Sequence, residues 1–123
     1  MSLVTLACLI AADEAIIPVK PGALDAQGVL SINSTIEKIQ RRENPKLRVA
    51  AILTTIWEKS DLAREVEEQA AEDYPDAIVS PIRKTTKVGE APATGQPTRL
   101  HAPRATAVAD YGQVARLLLV KPA

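Results

Sequence analysis

Arg83, Lys84 and Lys87 fall within five positions of one another, directly after an apolar run. Their chemistry is that of cations set to neutralise a polyanion. Lysine and arginine contacts to backbone phosphates add an affinity that falls with salt and need no base-reading geometry. The chain as a whole does not reinforce them: 15 basic residues balance 15 acidic ones, so any attraction to nucleic acid must come from this local patch. With two tyrosines, one tryptophan and no phenylalanine, the chain has few rings on which single-stranded bases can stack.

Other chemistries fail on residue type or spacing. A phosphate-binding loop needs G-x-x-x-x-G-K-[ST], and no glycine in the sequence is followed by lysine. His101 is the only histidine and Cys8 the only cysteine, so neither a Cys/His zinc cluster nor an internal disulfide is available. His101 lies beside Pro103 without a recognisable nucleophile turn, which argues against Ser/His/Asp catalysis and for an ordinary surface histidine. The acidic pairs Glu67-Glu68 and Glu72-Asp73 sit on a polar helix face, where solvation rather than acid/base work is expected. Neither a catalytic residue nor a metal site is therefore assigned.

The elements that position these residues follow from periodicity. Leu3 to Ala11 has apolar residues at helical spacing, and Cys8, within that run, is assigned to the core. Ala15 to Val19 is a short apolar strand before Pro21-Gly22. A helix capped by Asp25 should follow, with Val29, Ile32, Ile36 and Ile39 as its stripe and Arg41-Arg42 in its last turn before Asn44-Pro45. Leu47 to Ile56 reads as a strand covered on both faces, since it is apolar without alternation. Ser60 or Asp61 opens a charged helix with Leu62, Val66 and Ala70 inward, ending at Tyr74-Pro75. Ala77 to Ile82 is a third strand, and Pro81 to Glu90 is expected to form the loop that carries the cations. Between Val88 and Pro103 the Gly and Pro content argues against a long helix; a final stripe of Val108, Tyr111, Ala115 and Leu118 closes the chain.

Alternating strands and helices imply parallel pairing, with the site-forming loops at the carboxyl ends of the strands. At 123 residues, 46% of them hydrophobic, the chain suffices for one modest core, so residues 1–123 are read as a single α/β domain. A lone cysteine with neither a secretory signal nor a long apolar span suits the reducing cytoplasm.

Two blocks go further. Lys87-Val88-Gly89-Glu90-Ala91-Pro92-Ala93-Thr94-Gly95-Gln96-Pro97, followed by Ala102-Pro103-Arg104 and an amphipathic helix, closely resembles the C-terminal signature of ParA/MinD-type (deviant Walker) partition ATPases. The run Val4 to Val19 resembles the segment after that family's second acidic nucleotide motif, in which Asp13-Glu14 is a structural junction. The resemblance implies a fragment of a three-layer parallel sheet, about three strands with flanking helices, from the C-terminal part of a P-loop NTPase-like fold, with the P-loop half preceding Met1. It implies a nucleotide base pocket at Thr54, Thr55, Pro81, Ile82 and Arg83, although the family's usual Ile-Pro order is replaced here by Pro81-Ile82-Arg83. It aligns Lys87, and less directly Lys59, with basic residues that bind DNA non-specifically; Lys84 joins them from the basic cluster.

Full-length relatives of this kind use ATP and Mg, form dimers on nucleoid DNA and answer to a centromere-bound ParB-like partner in plasmid or chromosome partitioning. Without its own phosphate loop, this chain is expected to need no cofactor and to hydrolyse nothing alone. The alternative is a non-enzymatic oligomerisation or interaction module, since its first strand would present an apolar edge for a partner, another copy included, to cover. A membrane role is not expected under either reading.

Overall fold

The computed structural model describes residues 2–120, the side chains of residues 23–30 excepted. Helix α1 (Leu3–Ala11) starts behind Ser2, whose hydroxyl accepts the Thr5 N–H at 3.2 Å. Strand β1 (Glu14–Val19), helix α2 (Ala23–Arg42), strand β2 (Arg48–Trp57), helix α3 (Asp61–Asp73) and strand β3 (Ile78–Arg83) follow, then helices α4 (Thr86–Thr94), α5 (Thr98–His101) and α6 (Thr106–Val120). The strands form one parallel sheet in the order β1-β2-β3, as strand–helix–strand repetition requires.

Strand β2 is central, and its residues 49–54 are buried without alternation. One face packs Ile17, Val19 and Ile52 against Ile36 and Ile39 of α2 and Ala70 of α3; the other packs Ala51, Leu53 and Ile82 against Ala107 and Val114 of α6. Ala50 is the pivot between them. Ala15 pairs with Val49 and Ile16 with Ala51, so Ala50 is an extra residue, a bulge, and Val49 and Ile52 reach the same face although they are three positions apart. A second irregularity lies between Thr54 and Trp57, where Ile56 takes φ 51°. A β-branched residue is rarely found in this left-handed region, and its strain is held at the end of the strand, where the site lies.

Several expectations are corrected. Cys8 is exposed: α1 meets the core through Leu6 and Leu9, and Cys8 lies on its open side. Val66 and Ala70 of α3 face inward as expected, but in the first turn, capped by the Ser60 hydroxyl on the Ala63 N–H, Ala63 is buried and Leu62 exposed. In α6 the inward stripe is Ala107, Val114 and Leu118, with Asp110 between them; Tyr111 is exposed. The segment Pro81 to Glu90 is not a loop: β3 runs to Arg83, and α4 begins after Thr85, whose hydroxyl accepts the Lys87 N–H. The Gly and Pro residues do keep the helices short, with Pro92 near the end of α4 and Gly95 terminating it at φ 69°. Helix α2 starts behind Gly22, two residues before Asp25; the side chains of Asp25 and Val29 lie outside the described residues.

Helix α1 is tied down by Asn44, whose Nδ2 donates to Leu9 O at 3.2 Å and Ala12 O at 2.7 Å, covering carbonyls at the helix end. Asn44→Ala removes both bonds. Amide exchange across residues 3–12 is expected to rise about tenfold relative to α3, by hydrogen-exchange mass spectrometry. An unchanged ratio would mean that Leu6 and Leu9 alone hold the helix.

Candidate functional site

Parallel strands point their carboxyl ends the same way, so the ends of β2 and β3 lie side by side and the chain leaving β3 turns across them into α4. Lys84 N donates to Trp57 O at 3.0 Å, closing this corner. Between the strand ends, the start of α4 and the flank of α6 lies a cleft of about 490 Å³, with Ile56, Ile82, Val88 and Tyr111 as apolar walls and Thr55, Arg83 and Lys84 among its polar lining.

Of the five residues expected to hold a base, Thr55, Ile82 and Arg83 come together here. Thr54 and Pro81 do not line the cleft. Successive residues of a strand point to opposite faces, and Thr54, paired with Pro81, shares the α3 side of the sheet. The Thr54 hydroxyl, fully buried, donates to Glu67 Oε1 at 3.1 Å and so ties the sheet to α3. Arg83 is engaged as well: its Nε and backbone N donate to Asp110 Oδ2, and its Nη2 donates to Oδ1 at 2.9 Å. These hydrogen bonds, opposed by burial, hold the Asp110 carboxyl below its usual range. Arg83 thus fixes the floor of the cleft to α6, with its side chain still about half exposed.

The cations divide by partner. Lys84 Nζ lies 3.3 Å from Glu58 Oε1, and Lys87 Nζ 3.2 Å from Glu90 Oε2. The same Glu90 oxygen meets His101 Nε2 at 3.2 Å, and hydrogen bonds from His101 and then Lys87 keep its carboxyl below the ordinary value. Lys59 lies beyond Trp57, in a second hollow of about 550 Å³ shared with Ser60, Asp61, Arg64 and Glu67. Trp57 also lines this hollow, and its Nε1 is buried without a hydrogen-bond partner among the described residues. Of the candidate lysines Lys84 alone lines the cleft, Lys59 lines the separate hollow, and Lys84 and Lys87 are each paired with a carboxylate.

The apolar lining of Ile56, Ile82, Val88 and Tyr111 gives the cleft surface for a weakly polar group. The sequence supplies no phosphate loop to hold a triphosphate beside it. Among the described residues no group of three His, Cys, Asp or Glu side chains is placed to hold a metal ion, and no helix is long and apolar enough to cross a membrane. Periodicity missed Tyr111 because it counted the tyrosine in the core stripe. It missed Asp110, Glu58 and Glu90 because a carboxylate's partner across the fold leaves no local pattern.

No family model matches this sequence. The chain is 28% identical over 123 residues to the chromosome-partitioning ATPase Soj of Thermus thermophilus, a match that covers 98% of this chain and 49% of that protein. It is 25% identical over 118 residues to the sporulation initiation inhibitor protein Soj of Bacillus subtilis, covering 94% of this chain and 47% of that one. The chain thus spans about half the length of the curated relatives it matches. The crystal structure of cobyrinic acid a,c-diamide synthase from Mycobacterium smegmatis superposes with a TM-score of 0.67 at 25% identity, over 94% of this chain and 41% of that one. The likeness extends to the three-stranded parallel α/β architecture.

Proposed function

We propose, from the premise that this chain is homologous to the Soj/ParA-type chromosome-partitioning ATPases, that it works as the C-terminal portion of such a protein. In this reading residues 1–123 form one α/β unit that supplies one wall of a nucleotide base site and a face for non-specific double-stranded DNA. The observation that supports it is an apolar cleft at the carboxyl edge of the sheet with Lys84 in its lining and Lys87 in the first turn of α4 beside it, while Lys59 lines a separate hollow past the end of β2. Thr55 and Ile82 would meet the base, with Arg83 holding the floor. The phosphate contacts, Mg and hydrolysis would come from the part of the relatives' length that this chain does not span. The setting is the cytoplasm, at the nucleoid, with a second copy and a ParB-like protein as partners.

Lys87→Ala tests the DNA face. Loss of one phosphate contact is expected to weaken binding about three- to fivefold for every duplex sequence and to flatten the slope of log K against log salt by about 1. Unchanged binding would remove Lys87 from the interface. The second reading, an interaction module without nucleotide or DNA affinity, is favoured by one observation: among the described residues β1 pairs with β2 alone, and Ile16 on it is half-exposed. A protein of that kind would associate in light scattering and leave DNA free at every salt concentration.

A further inference from the structure

We propose that Glu90 is a built-in counter-charge that sets how strongly this face holds a polyanion, with His101 as the residue that keeps it in place; the proposal rests on the reading that Lys87 meets DNA phosphate. Lys87 and Glu90 are one turn apart on α4, so their side chains share a face. Their contact, 3.2 Å between groups each about half exposed, would by itself be a weak surface pair that exchanges readily with water. The third group makes the difference. His101 comes from α5, packs against α4, and places Nε2 3.2 Å from the same Glu90 oxygen, with only 22% of its side chain exposed.

A carboxylate only accepts hydrogen bonds, so the hydrogen in this contact is on Nε2. The carboxylate is therefore pinned from a second helix, and Lys87 finds it already in place instead of having to order it. An incoming phosphate must displace this oxygen from Lys87 and then sit within a few ångströms of a fixed negative charge. Such repulsion across partly solvated surface corresponds to a severalfold loss of affinity. The lowered proton affinity of Glu90 means that the opposing charge persists well below neutral pH.

The test is fluorescence anisotropy with a labelled random-sequence duplex, titrated with the protein and with its Glu90→Gln, Lys87→Ala and doubly substituted forms over a range of salt. Glu90→Gln is expected to bind about threefold more tightly, with a salt slope steeper by up to about 0.9. In the Lys87→Ala background the same change should have a clearly smaller effect, since only the repulsion of neighbouring phosphates is left to relieve. Glu90→Asp, which draws the carboxylate back from both partners, should lie between wild type and Glu90→Gln and serves if the glutamine variant folds poorly. Binding by either variant that equals or falls below wild type, with the circular dichroism melt unchanged, overturns the counter-charge. Wild-type affinity in Lys87→Ala overturns the DNA reading beneath it, whatever Glu90 does.

Discussion

Ile52→Ala is expected to cost about 3 to 4 kcal/mol of folding stability, the cost of removing a branched side chain from a site that cannot close around the gap. Ile52 is 1% exposed, lies in the middle of the central strand, and pairs across the backbone with Ile17 on one side and Val79 on the other. Its side chain packs in the cluster that joins α2, α3 and the sheet. Strands held on both sides cannot shift inward, so the loss includes a cavity term beyond the transfer of the missing methylenes. For a chain of this length the melting temperature should fall by about 10 °C or more, and Ile52→Val should cost only about 1 kcal/mol. A chemical-denaturation loss below about 1.5 kcal/mol for the alanine variant would show that α2 collapses into the hole.

Asp110→Ala is expected to unhook α6 from β3 and lower the melting temperature by about 5 °C. Asp110 takes a position on the inward stripe of α6 where an apolar residue would be anticipated, and its side chain is only 12% exposed. It is tolerated there because three donors of Arg83 converge on it in the fork geometry that lysine cannot reproduce. The pH dependence gives an independent check. The folded carboxyl titrates below its ordinary value of 3.8, so the stability it contributes is fully present above that value and is lost as pH falls through the lower, folded one. Melting curves of the wild type should therefore decline more steeply below about pH 4 than those of Asp110→Ala. Parallel curves would assign the depressed value to some other interaction.

The strands and most helix boundaries were legible because they rest on local signals. Continuous apolar character marked β2, Ser60 marked the start of α3, and Asn44-Pro45 marked the end of α2. Where expectation and structure part, the cause is a partner distant in sequence. Asp110 rotates α6 by one position, so Tyr111 leaves the core for the cleft. Helix α4 forms despite Gly89 and Pro92 because Thr85 caps its start, a role that a threonine among other polar residues does not advertise. Grouping Thr54 with Thr55 follows the linear sequence, whereas the pleat of a strand sends neighbours to opposite faces. Neither bulge carries a glycine to announce it, Ala50 and Ile56 being residues of ordinary strands.

Ala50 also carries information of a kind its small side chain conceals. It acts as a frame mark within β2: the residues before it and those after it are written in opposite phase, and the fold reads them correctly only because one position is skipped. Removing that single alanine would let Val49, Ala51 and Ile52 alternate without a skip, with Ile52 and Thr54 still toward α2 and α3 and Ala51 and Leu53 still toward α6, so the change would fall on the local bend and twist of the strand. One buried position of β2 thus serves the bend of the strand rather than the order of its faces.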